Sequence, residues 1–394
     1  MINVEETKFV CFRCGNEKVV KRGKQFNAKK TIWKQRWYCN NCGFKFVSKK
    51  QNLDDSYEPP KFEYQPKPIM PIDWANYNQA QINEKMMFLD ILSGVLDCFA
   101  FEQAKTNGRH LTNTKAVLFG MLVKIYNKNS SRRTISDLKL MKELNYTKQV
   151  PCFSTLMNYF NNEGFTPILE KMVELTALPL KGVETDFASD ATGFSTSQFG
   201  RWFDEKWGEE KEKRIYRKLH AMVGVHSNVD THCIITQQEG AGTADTTQYK
   251  PLLYKTAINF KMNEVSADLA YSSRENLEAT VQVGALPYIP FKSNVTGGNN
   301  GLIWRKMYLY FKDKPQEFFE HYHKRSNVET TFSMIKQKFS GFLMTKTLTA
   351  NTNEILCKVI AHNICCLISA YYELGLEKAF CTKAQETDKI SILV

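Results

Sequence analysis

The sequence predicts an α/β protein built from a small cysteine-rich ribbon, a helical region, and a larger domain of strands and helices. Three observations support this division. Two Cys-x-x-Cys-Gly pairs lie within the first 50 residues. Apolar residues recur at helical spacing over residues 80–178. From Val183 onward, runs rich in β-branched and aromatic residues alternate with helical patterns. A chain of 394 residues is long enough for several such parts.

Positive charge is concentrated at the N-terminus. The formal net charge is +12, and residues 1–50 hold thirteen lysines and arginines against three glutamates. Basic clusters bind nucleic acid by displacing condensed counterions, so we expect a polyanionic partner, with a merely soluble basic tail as the alternative. The opening MINVEETK contains no apolar signal region, which argues against secretion. Residues 355–372 are apolar but polar residues interrupt them, which predicts a buried helix and no membrane partner.

Four cysteines in residues 8–47 have the spacing of a structural zinc site. Cys11 and Cys14 form the first pair, and Cys39 and Cys42 form the second after twenty-four intervening residues. Two such pairs supply the four thiolates of a tetrahedral zinc ion. Aromatic residues around the second pair suggest short strands, so we predict a zinc ribbon. Free cysteines or a redox pair are the alternatives.

A proline-rich linker and a helical region follow the ribbon. Five prolines in residues 51–78 predict an extended linker. In residues 80–178 we expect several helices, the third starting near Ser130 and the fourth with Ser154 as a candidate N-cap. Arg132 and Arg133 with short helices are compatible with a DNA-binding helix-turn-helix, but a bundle that supports the next domain explains them equally well.

Residues 183–374 predict the element order β-β-β-α-β-α-β-α. The first strand carries Asp190, and the fourth ends at Asp268. Asp186 lies four residues before Asp190 and faces the same side of a strand, so it is a rival for the same role. We expect the last helix to run continuously over residues 315–339.

One stripe of that last helix combines a phenol, two cations and an acid. At 100° per residue, Tyr322, Arg325, Glu329 and Lys336 fall within a sector of about 60°. Apolar residues at steps of four, three and four lie beside the stripe and predict a core-facing side. Taken alone, the stripe is typical of a solvated charged face.

The spacing Tyr322-x2-Arg325-x3-Glu329-x6-Lys336 resembles, without departure, the Y-R-E-K signature of bacterial insertion-sequence transposases of the DDE class. The element order is also that of the ribonuclease H-like fold of those enzymes. The resemblance implies a cytoplasmic, nucleoid-associated bacterial transposase that acts on double-stranded DNA as a homodimer on paired element ends. It covers residues 185–374 well, the helical region loosely and the ribbon separately.

The same resemblance implies a role for each site residue. Asp190, Asp268 and Glu329 would hold Mg²⁺ or Mn²⁺ for a two-metal cleavage of DNA, followed by joining of the 3′-hydroxyls to target DNA. Tyr322, Arg325 and Lys336 would hold phosphates near the element end. Trp304 would stack on a flipped base, although a core position is an alternative for it.

Two other functions stay open at this stage, and one departure from the family is visible. A DNA-binding regulator that has lost catalysis and a metal-dependent nuclease without strand transfer are the alternatives. Only sixty residues separate Asp268 from Glu329, and residues 294–301 form a polar loop. A large insertion found there in some relatives is therefore minimal at most, which puts a DNA-hairpin intermediate in doubt.

Overall fold

The computed structural model describes residues 11, 13–14, 16–27, 32–47, 73–102, 113–196, 216–237, 244–293, 295, 301–376 and 389–393. The chain divides into two compact units, residues 1–67 and residues 68–394. The linker prediction over residues 51–72, and most of the predicted loop at residues 294–301, lie outside the described residues.

The small unit contains a three-stranded antiparallel sheet in the order β1 (Val19–Asn27), β2 (Ile32–Cys39) and β3 (Lys45–Val47). Its buried residues are Cys11, Trp37, Cys39 and Phe46. So few apolar side chains bury little surface, and a unit of this size normally needs a metal or disulfides in addition. The short strands agree with the ribbon expected from the aromatic pattern.

The described residues of the helical region form five helices. They are α1 (Trp74–Asp97), α2 (Thr114–Tyr126), α3 (Ser131–Glu143), α4 (Phe153–Phe160) and α5 (Phe165–Ala177). A short strand, β4 (Phe99–Glu102), follows α1 and pairs in parallel with β10 (Ile390–Leu393), which is the last strand of the chain.

Capping side chains explain where α1 and α3 begin, whereas α4 begins without a side-chain cap. The carboxylate of Asp73 accepts hydrogen bonds from the backbone N–H groups of Ala75 and Asn76, so α1 begins within the segment predicted as linker. Ser130 caps α3, as expected. The N-cap of α4 is Cys152 and not Ser154, because the helix begins one residue before Ser154.

A five-stranded mixed sheet lies at the centre of the second unit, with strand order β7-β6-β5-β8-β9. The strand β6 (Tyr216–Gly224) runs antiparallel to both β5 (Asp186–Ser195) and β7 (Asp230–Gln237). The strands β8 (Glu264–Ala267) and β9 (Leu286–Tyr288) run parallel to β5. The strands occur in the predicted sequence order.

Within the part of the chain that the structure describes, six further helices accompany the sheet. In chain order they are α6 (Asp245–Asn259), α7 (Arg274–Gln282), α8 (Leu302–Asp313), α9 (Pro315–Tyr322), α10 (Ser326–Phe339) and α11 (Leu348–Glu373). Helix α8 was absent from the predicted element order. A 3-10 turn at His323–Arg325 interrupts the predicted continuous helix over residues 315–339.

Helix α11 joins the helical region to the sheet in one core. The amide of Asn353 donates to the carbonyl oxygen of Phe160, and that of Asn363 donates to the carbonyl oxygens of Val173 and Asp230. This helix is long and apolar enough to cross a membrane, but 83% of its most apolar window is buried inside the protein. The predicted buried helix is therefore the central core helix of the second unit.

Candidate active site and cysteine cluster

Two aspartates lie at the point where β5 and β8 stop pairing. The parallel register aligns Asp186 with Glu264 and ends at Ser189 and Ala267. Asp190 follows Ser189 within β5, and Asp268 follows Ala267 directly after β8. The two carboxylates therefore belong to the same edge of the paired strands. The backbone N–H of the residue that follows each aspartate donates to its Oδ1, at 2.8 Å for Asp190 and 2.7 Å for Asp268.

The third carboxylate, Glu329, lies on the first turn of α10. The adjacent face of this helix packs on the core through residues that are all buried, namely Val328, Phe332, Ile335 and Phe339, as the apolar spacing predicted. Glu329 itself keeps 56% of its side chain exposed. Helix α10 therefore presents an accessible carboxylate beside the sheet edge.

Arg325 connects two of the three acids. Its Nη1 lies 2.8 Å from Oδ2 of Asp190, and its Nη2 lies 2.7 Å from Oε1 of Glu329. Burial raises the pKa of the Asp190 carboxyl, and the charges of Asp268 and Glu329 raise it further, against the opposing effects of the Ala191 N–H and Arg325. The acids thus form a crowded negative cluster that one guanidinium compensates only in part.

The other two members of the predicted stripe lie on either side of this cluster. Lys336 donates from Nζ to Oγ1 of Thr192 at 2.6 Å. The Arg325 guanidinium lies 5.9 Å from the ring centroid of Tyr322. Burial raises the pKa of the Tyr322 phenol. The positive charge of Arg325 opposes this shift, and the negative charges of Asp268 and Asp190 add to it. All four residues therefore meet at one site although Tyr322 ends α9 and does not share a helix with Glu329.

An open cavity of about 510 Å³ adjoins these residues. Asp190 and Glu329 line it together with Thr192, Lys336 and Gln337. It offers carboxylates on one side and a cation on the other, which is the polarity that a phosphate backbone with associated divalent ions would require.

The rival aspartate, Asp186, has a different partner. Lys324 donates to Oδ2 of Asp186 at 2.7 Å and to Oε2 of Glu264 at 2.8 Å. Asp186 is thus occupied by an ion pair four residues along β5 from the Arg325 contact, which favours Asp190 as the residue of the acidic cluster. Sequence reasoning missed Lys324. The available signal was the repeated spacing: Asp186 and Glu264 each lie four residues before an aspartate of the acidic cluster, which indicates a second pair of acids that needs a cation.

Trp304 is in the core and not on a DNA-facing surface. It is 6% exposed and packs edge-to-face against Phe291 at 4.9 Å between ring centroids. This agrees with the alternative of a core position and corrects the assignment as a base-stacking residue, because a ring that is 6% exposed cannot stack on a base in this conformation. The apolar spacing of α8 turns Trp304 inward and leaves Arg305 exposed.

The chemistry of the three acids fits a divalent cation. Their oxygens are hard ligands of the kind that Mg²⁺ prefers. Burial and, after it, the charges of Asp268 and Glu329 raise the pKa of Asp190, and a bound cation would oppose both effects. Within the described residues, however, the cysteine cluster is the only set of three or more candidate ligands whose atoms all lie within 4.8 Å of one another. The acids therefore converge, with Arg325 between Asp190 and Glu329, without forming a closed cage.

The four cysteines of the small unit do form such a cage. Sγ of Cys11 lies 3.5 Å from Sγ of Cys42, and Sγ of Cys14 lies 3.6 Å from Sγ of Cys39. Four thiolates at about 2.3 Å from one zinc ion would stand about 3.8 Å apart, close to these separations. A backbone hydrogen bond from Asn16 lowers the pKa of Cys14 to about 6, against the effect of burial. The cluster is compatible with the predicted zinc site.

One family model matches the part of the chain that contains the acidic site. Residues 181–364 match the family model described as "Transposase DDE domain", and this segment spans slightly less than half of the chain. No curated protein and no solved structure shows significant similarity to the chain. The matched segment contains Asp190, Asp268 and Glu329, and it supports a DDE-class transposase that acts on DNA.

Proposed function

We propose that this protein is an insertion-sequence transposase that cleaves the ends of its element and joins the 3′-hydroxyls to target DNA. The observation that carries the proposal is the convergence of Asp190, Asp268 and Glu329 at one sheet edge, inside the segment that matches a transposase DDE domain. The strand order β7-β6-β5-β8-β9 supports a ribonuclease H-like fold for this domain.

In this proposal the three carboxylates hold two Mg²⁺ or Mn²⁺ ions. Such ions, when bound, polarise the scissile phosphate, lower the pKa of the attacking water and stabilise the leaving oxygen. The chain itself supplies the ligands and their orientation. The Ala191 and Leu269 N–H groups fix Oδ1 of Asp190 and of Asp268, so Oδ2 of each carboxylate would be the oxygen that binds a cation. Arg325 holds Oδ2 of Asp190 in the metal-free protein.

The cations of the Y-R-E-K set bind DNA phosphates in this proposal. Lys336 lies at the mouth of the cavity with Thr192, where its charge can contact a phosphate of the cleaved strand. Arg325 is held within the acidic cluster and offers a planar fork that suits a phosphate. Tyr322 orients Arg325 through ring contact, and it forms no covalent link to DNA.

The remaining parts contribute DNA binding and assembly. The small unit carries a strongly basic sequence, and we propose that it holds zinc and contacts DNA phosphates. Helices α3 and α4 would contact the element end, with the exposed Arg132 and Arg133 on α3. A homodimer on paired ends and a nucleoid-associated cytoplasmic location complete the proposal.

Cleavage of a supercoiled plasmid that carries the flanking ends of this gene's own element tests the function. With Mg²⁺, the intact protein should excise the element and yield strand-transfer products, whereas Glu329→Gln should bind the ends and fail to cut them. Cleavage without joining would favour the nuclease alternative. End binding without cleavage by either protein would favour the inactive regulator, and equal cleavage by both would require a different active site.

Asp186→Asn and Asp190→Asn separate the rival aspartates in the same assay. Loss of a metal ligand should abolish cleavage by Asp190→Asn. Asp186→Asn removes a partner of Lys324 and no proposed metal ligand, so it should retain measurable cleavage. The reverse order of activities would make Asp186 the ligand.

A further inference from the structure

A second pair of acids runs alongside the proposed catalytic pair. Asp186 and Glu264 are direct partners in the parallel register of β5 and β8, four residues before Asp190 and Asp268 respectively. Neighbouring strands lie about 4.8 Å apart, so two carboxylates at paired positions repel each other unless a cation lies between them. Lys324 supplies that cation through contacts of 2.7 and 2.8 Å.

The ion-pair cluster of Lys324, Asp186 and Glu264 is largely buried. The side chains of Asp186 and Glu264 are only 13% and 18% exposed. Burial lowers the pKa of Lys324, but its hydrogen bonds to both acids outweigh that effect and leave the pKa raised. Removal of Lys324 would leave two half-buried carboxylates without this partner, which costs more than the loss of an exposed pair.

His321 ties the same segment to a third strand. Its Nδ1 lies 2.8 Å from Oε1 of Glu264. Its ring stacks on that of Tyr288 in β9, with the centroids 4.5 Å apart and the planes 8° apart. The last turn of α9 and the 3-10 turn that follows it are thus attached to β5, β8 and β9.

Lys324 and Arg325 are consecutive residues of the 3-10 turn, yet they contact different acids of β5. Lys324 binds Asp186, and Arg325 binds Asp190. Four residues of strand span about 13 Å, so two contacts this far apart fix both the position and the orientation of the turn along β5. Glu329 follows one helical turn after Arg325 and is joined to it at 2.7 Å.

We propose that Lys324 is a positioning residue: by bridging Asp186 and Glu264 it fixes the turn that places Arg325 and Glu329 against Asp190 and Asp268. This inference rests on the proposed function, because the placed residues are those assigned to metal and DNA. It gives Asp186 and Glu264 a role in holding the active site together without binding the metal.

The other end of α10 is fixed separately, so the two attachments can be distinguished. The N–H of Ser195, at the end of β5, donates to the carbonyl oxygen of Gly341, and Leu343 donates back to Ser195. Lys358 donates to the carbonyl oxygens of Ser340 and Phe342. Loss of Lys324 should therefore loosen the N-terminal end of α10 and leave its C-terminal end in place.

The test compares Lys324→Met with Lys324→Arg and with the double variant Asp186→Asn/Glu264→Gln. Lys250→Met is the matched control, because Lys250 pairs with Glu275 on the exposed side of the same unit. Two quantities are measured for each protein: hydrogen exchange of the amides at residues 321–329, and the Mg²⁺ concentration that gives half-maximal cleavage of element ends.

We expect faster exchange at residues 321–329 in Lys324→Met and in the double variant, with residues 340–343 unchanged. Loss of a group that orients metal ligands costs about 10-fold to 100-fold in metal affinity, so the half-maximal Mg²⁺ concentration should rise about 10-fold. Lys324→Arg should restore both quantities, and Lys250→Met should match the wild type.

Three outcomes would overturn the inference. They are wild-type exchange in Lys324→Met, uniformly faster exchange throughout the second unit, and an unchanged Mg²⁺ requirement in the folded fraction of both Lys324→Met and the double variant. Failure of the wild-type protein to cleave would count against the proposed function instead, because the exchange measurement reports on the Lys324 contacts without requiring activity.

Discussion

Arg325 donates from Nη1 to Oδ2 of Asp190 at 2.8 Å and so joins two residues that lie 135 positions apart in the chain. The same guanidinium binds Glu329 through Nη2. It therefore occupies carboxylate oxygens that the proposed function assigns to divalent cations. Arg325 and the metal compete for these oxygens in the absence of DNA, whereas a DNA phosphate gives the guanidinium a new partner.

Arg325→Gln should separate metal binding from cleavage. Without the competing guanidinium, Mn²⁺ should bind more tightly to the DNA-free protein. Cleavage should fall by about 100-fold or more, because a charged donor to the phosphate is lost. Paramagnetic resonance of free Mn²⁺ measures the first quantity, and plasmid cleavage measures the second.

Arg274→Gln is the matched control, because Arg274 also pairs with a glutamate four residues later, on an exposed part of the second unit. It should change neither quantity. Weaker Mn²⁺ binding by Arg325→Gln would mean that Arg325 assembles the carboxylates and does not compete for them.

Lys336→Gln should lower the salt dependence of binding to element-end DNA. One phosphate contact contributes about 0.9 to the slope of log affinity against log salt. Loss of the Lys336 charge should therefore reduce the slope by about that amount. Titrations at several salt concentrations by fluorescence anisotropy measure it.

Thr192→Val is the control for Lys336→Gln. It removes the hydroxyl that accepts the Lys336 hydrogen bond and keeps the charge, so the slope should stay at the wild-type value. An unchanged slope in Lys336→Gln would remove Lys336 from the DNA contacts.

The sequence predicted the elements of the sheet because their signals are local. Strand alternation and turn residues identified β5 to β9 in order, and the apolar spacing of α10 identified its buried face. Helix boundaries depended on single side chains. Asp73 begins α1 earlier than the proline pattern suggested, and Cys152 rather than Ser154 precedes α4.

Long-range contacts were not predictable in the same way. The helical wheel placed Tyr322 and Glu329 on one continuous helix, whereas the 3-10 turn between them is held by Lys324 bound to two strands. A single Lys within a basic run gives no sign of such partners. Trp304 illustrates the reverse case, because its flanking charges suggested exposure while its own spacing on α8 turns it into the core.

Cys39→Ser should remove one bound zinc per chain and unfold the small unit. The unit buries few apolar side chains, so the metal must contribute much of its folding free energy. Zinc content by elemental analysis, together with hydrogen exchange of residues 19–47, measures both effects. The melting temperature of the second unit should stay unchanged.

Cys152→Ser is the control for Cys39→Ser, because Cys152 is an exposed cysteine outside the cluster. It should retain the zinc. A small unit that stays folded in Cys39→Ser without zinc would exclude the structural metal site.

Asp190→Asn should stabilise the metal-free protein at neutral pH. Burial raises the pKa of Asp190 in the folded state, with Asp268 and Glu329 adding to the shift. An acid whose pKa is raised on folding binds more protons in the folded state, so stability falls as the pH rises from the unfolded pKa through the folded pKa. At pH 7 the ionised carboxylate therefore lowers the free energy of unfolding, and an uncharged amide does not.

The melting temperature of Asp190→Asn in a chelating buffer should exceed that of the wild type at pH 7. The difference should shrink as the pH falls toward about 3.9, the ordinary pKa of an aspartate, because the wild-type carboxyl is then protonated in the folded state. Added Mg²⁺ should raise the melting temperature of the wild type and leave that of Asp190→Asn unchanged. Asp186→Asn, which loses the Lys324 ion pair, should instead melt lower than the wild type at pH 7. A lower melting temperature for Asp190→Asn at pH 7 without metal would show that the Arg325 contact outweighs burial and like-charge repulsion at this site.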